Sequence, residues 1–287
     1  MHFRIRHHTR YTYSQPVALL PHLLYIRPRE TSRQRLLDYS CSVAPEGRLG
    51  PVLDEHDNEM IWAHFGTEPT PSLEIEMVAR VETLQPNPFD FVLRSHAVSF
   101  PFHYEPVFAF ALGPYLAAPP YGVQRALLRW LELHLPGQPA DTVPFITAIN
   151  TVIFQSLRYQ RREEEGIQSA LETIDHGSGA CRDYALLLIE LCRTLGIAAR
   201  FVSGYLYAPA GDNQRTEGAM HAWVEVYLPG AGWKALDPTH GIWCDDRFIP
   251  VAHAAQADTV NPIQGAFSSS GSVSANLTTT VDVERLD

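Results

Sequence analysis

The sequence has little of what would tie it to a membrane, a nucleic acid or a metal. No apolar run approaches the roughly 18 residues that a transmembrane helix needs, and the first residues lack the apolar segment of a signal peptide. The net charge is -10 and no basic cluster stands out, which argues against a nucleic-acid partner. The four cysteines, at positions 41, 181, 192 and 244, follow neither a zinc-ligand spacing nor a secreted disulfide framework. These absences predict a cytoplasmic protein with reduced thiols that binds neither membrane nor nucleic acid.

What is present is the composition of a folded globular protein, with 45% hydrophobic and 19% charged residues. The N-terminal part alternates as strands do, and two segments each place their apolar side chains on one face. In LEIEMVARVE these are Leu73, Ile75, Met77, Ala79 and Val81, and in LLDYSCSV they are Leu37, Tyr39, Cys41 and Val43. Turn-rich pieces such as APEGRLGP divide the strands. We therefore predict an N-terminal antiparallel β domain over residues 1–100.

Helical periodicity begins after a proline-rich boundary near residue 100. The segments GVQRALLRWLELHL and PFITAINTVIFQSL predict two packing helices, with Trp130 in the core, and a third helix follows Cys181. From residue 197 onwards strands return, and the tail alternates in the same way. Helices followed by strands are typical of an α+β fold. We predict one α+β core over residues 101–287 that includes the C-terminal strands.

The most informative stretch is HGSGACRDYALLLIELCRTLG, in which a glycine-rich turn leads into Cys181. The residues that follow are so apolar that their helix should be buried nearly all round. A cysteine at a helix start meets unpaired N–H groups and the positive end of the helix dipole, and both favour the nucleophilic thiolate. The same N–H groups could hold the oxyanion formed when a thiolate attacks a carbonyl. Asp183 would oppose the thiolate and Arg182 would favour it. A buried, inert cysteine is the alternative interpretation.

A thiolate nucleophile needs a base, and the strand HAWVEVYL offers His221 on its amphipathic side. The turn PGAG then predicts a hairpin that leads to Asp237. His221 and Asp237 would face each other only if the pairing centred on residue 229, slightly before the glycine turn, so a bulge or a longer loop would be required. His176 and His240 are rival bases, but we expect no carboxylate placed by regular structure to orient either of them.

Three ordered motifs resemble the bacterial transglutaminase-like superfamily: GSGACRDY, HAWVEVYL and WKALDPTHG, with ARFVSGY between the first two. The resemblance is close over residues 155–245 and extends loosely to HHTRYTYSQPV and YIRPRE near the N-terminus. The family places a cysteine at a helix start, a histidine in H-A-W-x-E-V and an aspartate in D-P-T, which correspond to Cys181, His221 and Asp237. The resemblance implies a papain-like α+β core, a Cys-His-Asp catalytic triad and no metal or organic cofactor.

Two features of animal transglutaminases do not carry over. The sequence has no acidic calcium loop, and it has no tryptophan between Trp130 and Cys181 to act near the oxyanion. Tyr159 is the candidate for the second oxyanion donor instead. A metal ion shared by His221 and Glu225 is excluded because positions i and i+4 of a strand lie roughly 13 Å apart.

We expect from this resemblance a cysteine peptidase or amidase that hydrolyses an amide bond of a peptide or protein through a thioester. Acyl transfer to an amine and a non-catalytic protein-binding scaffold are the alternatives. The loop 208–220, just before His221, is a candidate flap over the site.

Overall fold

The structure is a computed structural model that describes residues 1–162, 166–209 and 219–287. The N-terminal part is built from strands: β1 (His2–Leu24), β2 (Gln34–Ala44), β3 (Gly47–Leu53), β4 (Glu59–Phe65) and β5 (Thr70–Thr83). Four helices follow: α1 (Pro106–Ala111), α2 (Gly113–Leu116), α3 (Tyr121–His134) and α4 (Thr142–Ser156). The two helices predicted before Cys181 correspond to α3 and α4.

The remaining elements surround Cys181 and form the second sheet and the tail. They are β6 (Arg158–Tyr159), α5 (Ala170–His176), β7 (Ser178–Gly179), α6 (Cys181–Thr194), β8 (Ala199–Leu206), β9 (His221–Leu228), β10 (Gly232–Asp237), β11 (Ile242–Trp243), β12 (Phe248–Ala254), β13 (Ile263–Ser268) and β14 (Ala275–Arg285). In the described part of the chain, no helix is both long enough and apolar enough to span a membrane.

The N-terminal strands form an antiparallel sheet in which β1 is the central strand. The first half of β1 pairs with β5, and its second half pairs with β4. The apolar face predicted for β5 is buried, with Leu73, Ile75, Met77, Ala79 and Val81 at most 1% exposed. The predicted α+β class, with an antiparallel β region ahead of the core, is therefore confirmed.

The last two strands, β13 and β14, pair with the N-terminal sheet, whereas the sequence analysis assigned them to the core. β14 pairs with β1 from Phe3–Arg285 to Tyr13–Ala275, and β13 pairs with the second half of the same strand. The alternation of the tail correctly indicates a strand, but alternation carries no information about which distant strand is the partner. The tail therefore completes the N-terminal sheet.

Leu37 is also placed wrongly by strict alternation. The pairing of β2 with β5 shifts register between Leu36 and Asp38, so the side chain of Leu37 is turned outward and is 48% exposed. Tyr39, Cys41 and Val43, which follow the shift, are half-buried against the core as predicted. A single extra residue in one strand moves the neighbouring side chain to the other face.

The second sheet has the order β11-β10-β9-β8-β12 and is antiparallel throughout. Helix α6 packs against β9 and β8, and none of its residues is exposed, as its apolar sequence predicts. The short strands β6 and β7 pair in parallel, which holds Tyr159 beside the turn that precedes α6. These contacts place the start of α6 near the start of β9.

Candidate active site

Cys181 is the first residue of α6 and is half-buried. The chain reaches it through Gly177, which ends α5 in a left-handed conformation with φ of 60°, and then through β7. A Cβ atom on Gly179 would lie 2.9 Å from the Cβ of Asp183, so this position needs a glycine. At the glycine-rich turn, the backbone therefore passes close to the first turn of α6.

The carboxylate of Asp183 links this turn to the helix through hydrogen bonds. It is fully buried and accepts hydrogen bonds from the backbone N–H groups of Ala180 and Gln168, both at 2.8 Å. The guanidinium of Arg162 donates to its two oxygens at 2.8 and 2.9 Å, so its negative charge is matched within the network. Arg182 donates to the carbonyl of Gly166 at 2.8 Å. Both charged neighbours of Cys181 are thus bound to the segment before the helix.

His221 opens β9 and Asp237 ends β10, and both side chains are buried. The Nε2 atom of His221 lies 2.8 Å from Oδ2 of Asp237. The register runs from Gly232–Leu228 to Leu236–Val224, so the hairpin is centred on residue 230. Asp237 therefore lies across from Trp223 and reaches His221 along the diagonal, which long side chains can span. The bulge or longer loop that the sequence analysis required is not needed.

The two buried groups hold each other in their charged forms. Burial alone would lower the pKa of His221, but the charge and hydrogen bond of Asp237 outweigh it, and with an additional contribution from the thiol of Cys181 they raise this pKa to about 10. Burial alone would raise the pKa of Asp237, but His221 and His240 hold it well below its usual range. Among the described residues, Nδ1 of His221 has no hydrogen-bond partner, and the thiol of Cys181 is close enough to contribute to the raised pKa of this imidazole. The fold thus brings Cys181, His221 and Asp237 together.

His240 also belongs to this cluster, contrary to the sequence analysis. Its Nδ1 atom lies 2.6 Å from Oδ2 of Asp237, and its ring meets the ring of His221 edge-on at 5.5 Å. The turn after β10 brings it back, because the N–H of Gly241 donates to the carbonyl of Asp237 at 2.9 Å. The available signal was the D-P-T-H-G spacing, which puts a histidine one tight turn after the aspartate. His176 is instead exposed at the end of α5.

The models of known families match two separate parts of the chain. Residues 135–238, which include Cys181, His221 and Asp237, match the transglutaminase-like superfamily. Residues 3–82 match the bacterial transglutaminase-like N-terminal region. The chain has a transglutaminase-like core behind a bacterial transglutaminase-like N-terminal region. This confirms the resemblance inferred from the motifs.

Relatives with the same extent are known in mycobacteria. An uncharacterized protein of Mycobacterium leprae is 26% identical, and the alignment covers 99% of this chain and 98% of the relative. An uncharacterized protein of Mycobacterium tuberculosis is 28% identical over 92% of this chain and 86% of the relative. A protein-glutamine gamma-glutamyltransferase of Pseudomonas aeruginosa is 39% identical over 72 residues, which are 24% of this chain and 11% of that protein.

One solved structure has the same fold over the whole chain. It is the crystal structure of a "Putative Cysteine Protease" from Cytophaga hutchinsonii, with a TM-score of 0.72 and 21% identity. The match covers 100% of this chain and 92% of that one. At this level of identity the likeness concerns the fold alone.

The transglutaminase-like core also places Tyr159, the candidate oxyanion donor, close to Cys181. Burial, with a further contribution from Cys181, raises the pKa of Tyr159 above its ordinary value, so its hydroxyl stays protonated. Its ring lies 6.4 Å from that of Tyr184 in the first turns of α6. The candidate flap, residues 208–220, falls mostly on 210–218, which lie outside the described residues.

A metal ion could in principle use part of this cluster. One potential ligand atom each from His221, Asp237 and His240 lies within 4.8 Å of the other two. However, the same Oδ2 atom of Asp237 is at hydrogen-bond distance from both imidazoles, at 2.8 and 2.6 Å. Two N–H donors on one carboxylate oxygen account for the arrangement without an ion.

Proposed function

We propose that the chain is a cysteine-nucleophile acyl-transfer enzyme that hydrolyses an amide or peptide bond of a peptide or protein. One observation carries the proposal. The thiol at the start of α6 lies close enough to the imidazole of His221 to raise its pKa, and Nε2 of His221 is bonded to the buried carboxylate of Asp237 at 2.8 Å. A nucleophile, a base and a group that orients the base are the three parts that such chemistry requires.

The reaction begins with attack by the Cys181 thiolate on the substrate carbonyl carbon. The carbon–nitrogen bond then breaks, and the imidazolium of His221 gives its proton to the leaving amine. The remaining acyl group is a thioester on Cys181. Water attacks this thioester, and His221 accepts a proton from the attacking water. The carbon–sulfur bond then breaks, which releases the carboxylic acid and restores the thiolate. Throughout, Asp237 holds the imidazole in one orientation and stabilises its charged form.

The oxyanion of each tetrahedral intermediate needs hydrogen-bond donors. The first N–H groups of a helix have no partner within the helix, so the backbone N–H of Cys181 is available as one donor. The hydroxyl of Tyr159 is the proposed second donor, because the pairing of β6 with β7 holds it beside the same turn. The positive end of the α6 dipole adds to the stabilisation of the oxyanion.

Transfer of the acyl group to an amine is the second candidate. It is supported by the 72-residue similarity to a protein named protein-glutamine gamma-glutamyltransferase. We favour hydrolysis because, among the described residues, both Cys181 and His240 keep partial solvent exposure, so water has access to the thioester. A free thiol at Cys181 is required in either case, in line with the proposed cytoplasmic location.

Alkylation by iodoacetamide tests the activated thiol before any substrate is known. Near neutral pH, we expect Cys181 in the native protein to react at least about tenfold faster than a cysteine in a short peptide. His221→Ala should reduce its rate to that of the peptide thiol, while Cys192, which is fully buried, should stay unlabelled. Peptide mass spectrometry assigns each site. A wild-type rate equal to that of the peptide thiol would contradict the proposal and favour a non-catalytic scaffold.

A partition assay separates the two candidate reactions. The chain contains one lysine, Lys234, which is 3% exposed, so the protein itself offers no accessible lysine side chain as an acyl acceptor. Glutamine- and asparagine-containing peptides are incubated with the enzyme and a small primary amine. Released ammonia and acid indicate hydrolysis, and incorporated amine indicates transfer. Cys181→Ala must abolish both products.

A further inference from the structure

We propose that His240 is a positioning residue of the site, which holds the carboxylate of Asp237 in place for His221 and closes it off from solvent. This inference rests on the proposed function, since it concerns the same Cys181–His221 pair. It assigns a positioning role to a histidine that the sequence analysis considered only as a rival base.

The first support is the way the carboxylate of Asp237 is surrounded. It is fully buried, and its Oδ1 atom accepts the backbone N–H of Thr239 at 2.8 Å. Its Oδ2 atom is shared between Nε2 of His221 at 2.8 Å and Nδ1 of His240 at 2.6 Å. A buried carboxylate is stable only when donors satisfy its oxygens. His240 supplies the shorter of the two side-chain contacts.

The second support is the proton arrangement that this sharing imposes. An ionised carboxylate only accepts hydrogen bonds, so both Nε2 of His221 and Nδ1 of His240 must carry protons. In its neutral form, His221 then has an unprotonated Nδ1, which is the nitrogen left for the thiol of Cys181. The correct tautomer of the base therefore depends on the position of Oδ2, and His240 holds that same atom by a second hydrogen bond.

The third support is the exposure of the cluster. The side chains of His221 and Asp237 are fully buried, whereas that of His240 keeps 22% exposure. Its ring also meets the ring of His221 edge-on. Among these three, His240 is therefore the side chain that stands between the His221–Asp237 pair and solvent.

Two substitutions separate a lost hydrogen bond from a lost side chain. His240→Asn keeps an N–H donor at the same distance from the backbone, because the amide nitrogen of asparagine and Nδ1 of histidine are both attached to Cγ. His240→Leu keeps a branched side chain of similar reach but has no donor. His134→Leu is the matched control, since this exposed histidine at the end of α3 is bonded to the carbonyl of Trp130 at 2.8 Å, outside the cluster.

The readout is the rate of Cys181 alkylation by iodoacetamide near neutral pH, with a melting curve for each variant. We expect His240→Leu to lower the rate about tenfold, because it removes the charge-assisted hydrogen bond to Asp237. His240→Asn should keep most of the wild-type rate, because its amide N–H replaces that bond. The rate in His134→Leu should equal that of the wild type. All rates are measured well below the melting transition of the least stable variant, so that the difference in rate reports on position and not on folding.

The outcomes distinguish this inference from the proposed function. If the wild-type thiol reacts no faster than a peptide thiol, the proposed function fails first. If the wild type is activated but His240→Leu reacts equally fast or faster, the positioning role alone is refuted. Equal losses in the Leu and Asn variants would also refute it, because the donor would then not be what matters.

Discussion

Removal of the Asp183 carboxylate should loosen the start of α6 and with it the position of Cys181. In Asp183→Ala, the guanidinium of Arg162 and the backbone N–H groups of Ala180 and Gln168 lose their shared acceptor. Loss of one partner of a buried ion pair costs about 3–5 kcal/mol, and an unpaired buried N–H costs about 1–3 kcal/mol. These costs overlap because the groups can relax together. We expect the free energy of unfolding to fall by about 4 kcal/mol.

The neutral variant Asp183→Asn separates charge from hydrogen bonding. It keeps one oxygen acceptor and the size of the side chain, so we expect a loss of about 2 kcal/mol. Asp175→Ala is the matched control, because this aspartate on α5 is exposed, and changes at such sites stay within about 0.5 kcal/mol. Urea unfolding of the three variants and the wild type, followed by tryptophan fluorescence, gives the comparison.

Alkylation of the folded Asp183 variants then links stability to the site. We expect a slower reaction of Cys181 in Asp183→Ala under conditions in which the variant remains folded, because the first turn of α6 no longer holds the thiol toward His221. A loss of less than about 1 kcal/mol in Asp183→Ala would refute the reasoning. It would mean that water replaces the carboxylate, and that the turn before Cys181 does not depend on this network.

The remaining predictions concern pH, packing and the oxyanion. Folding raises the pKa of His221 from its ordinary value of 6.5 to about 10. Protonated His221 therefore stabilises the fold fully below pH 6.5, and this contribution is lost as the pH rises to about 10. The difference in unfolding free energy between wild type and His221→Gln should shrink over that range. Gly204→Ala should destabilise the fold by about 3 kcal/mol in urea unfolding, since its Cβ would overlap the ring of Trp223 and the carbonyl of Ile249. Tyr159→Phe should slow turnover of a cleaved glutamine peptide about 100-fold with unchanged alkylation of the thiol; equal turnover would remove Tyr159 from the oxyanion site.

Much of the site could be predicted because its parts lie in short, regular stretches. The apolar run after Cys181 specifies a buried helix, and the alternation around His221 specifies a strand, so two of the three positions follow from local pattern. The position of Asp237 did not follow as well, because the sequence analysis assumed that two side chains must be directly opposite to meet. The structure shows a diagonal contact, and the reach of a diagonal pair depends on side-chain conformation that no spacing reveals.

The contact of His240 with Asp237 and the pairing of the tail with β1 were not predicted, for a common physical reason. The turn that returns His240 to Asp237 depends on a left-handed Gly241, with φ of 71°, and on one backbone hydrogen bond. The pairing of β14 with β1 joins residues at the two ends of the chain. In both cases the local pattern gives the type of element correctly, while the contact is decided by geometry that forms only when the chain has folded.

The N-terminal region is hydrogen-bonded to the core sheet, although the pattern of the sequence changes from strand-like to helical near residue 100. β12 lies at an edge of the core sheet, and exposed edges of sheets are prone to pairing with other chains. Here the backbone N–H of Arg29 and the side chain of Gln34 donate to the carbonyl of Pro250, at 3.0 and 3.1 Å. Asn58 donates to the carbonyl of His253 at 2.8 Å and accepts its N–H at 2.9 Å. The N-terminal region therefore covers the edge of the same sheet that carries His221, so the geometry of the site depends on both halves of the chain.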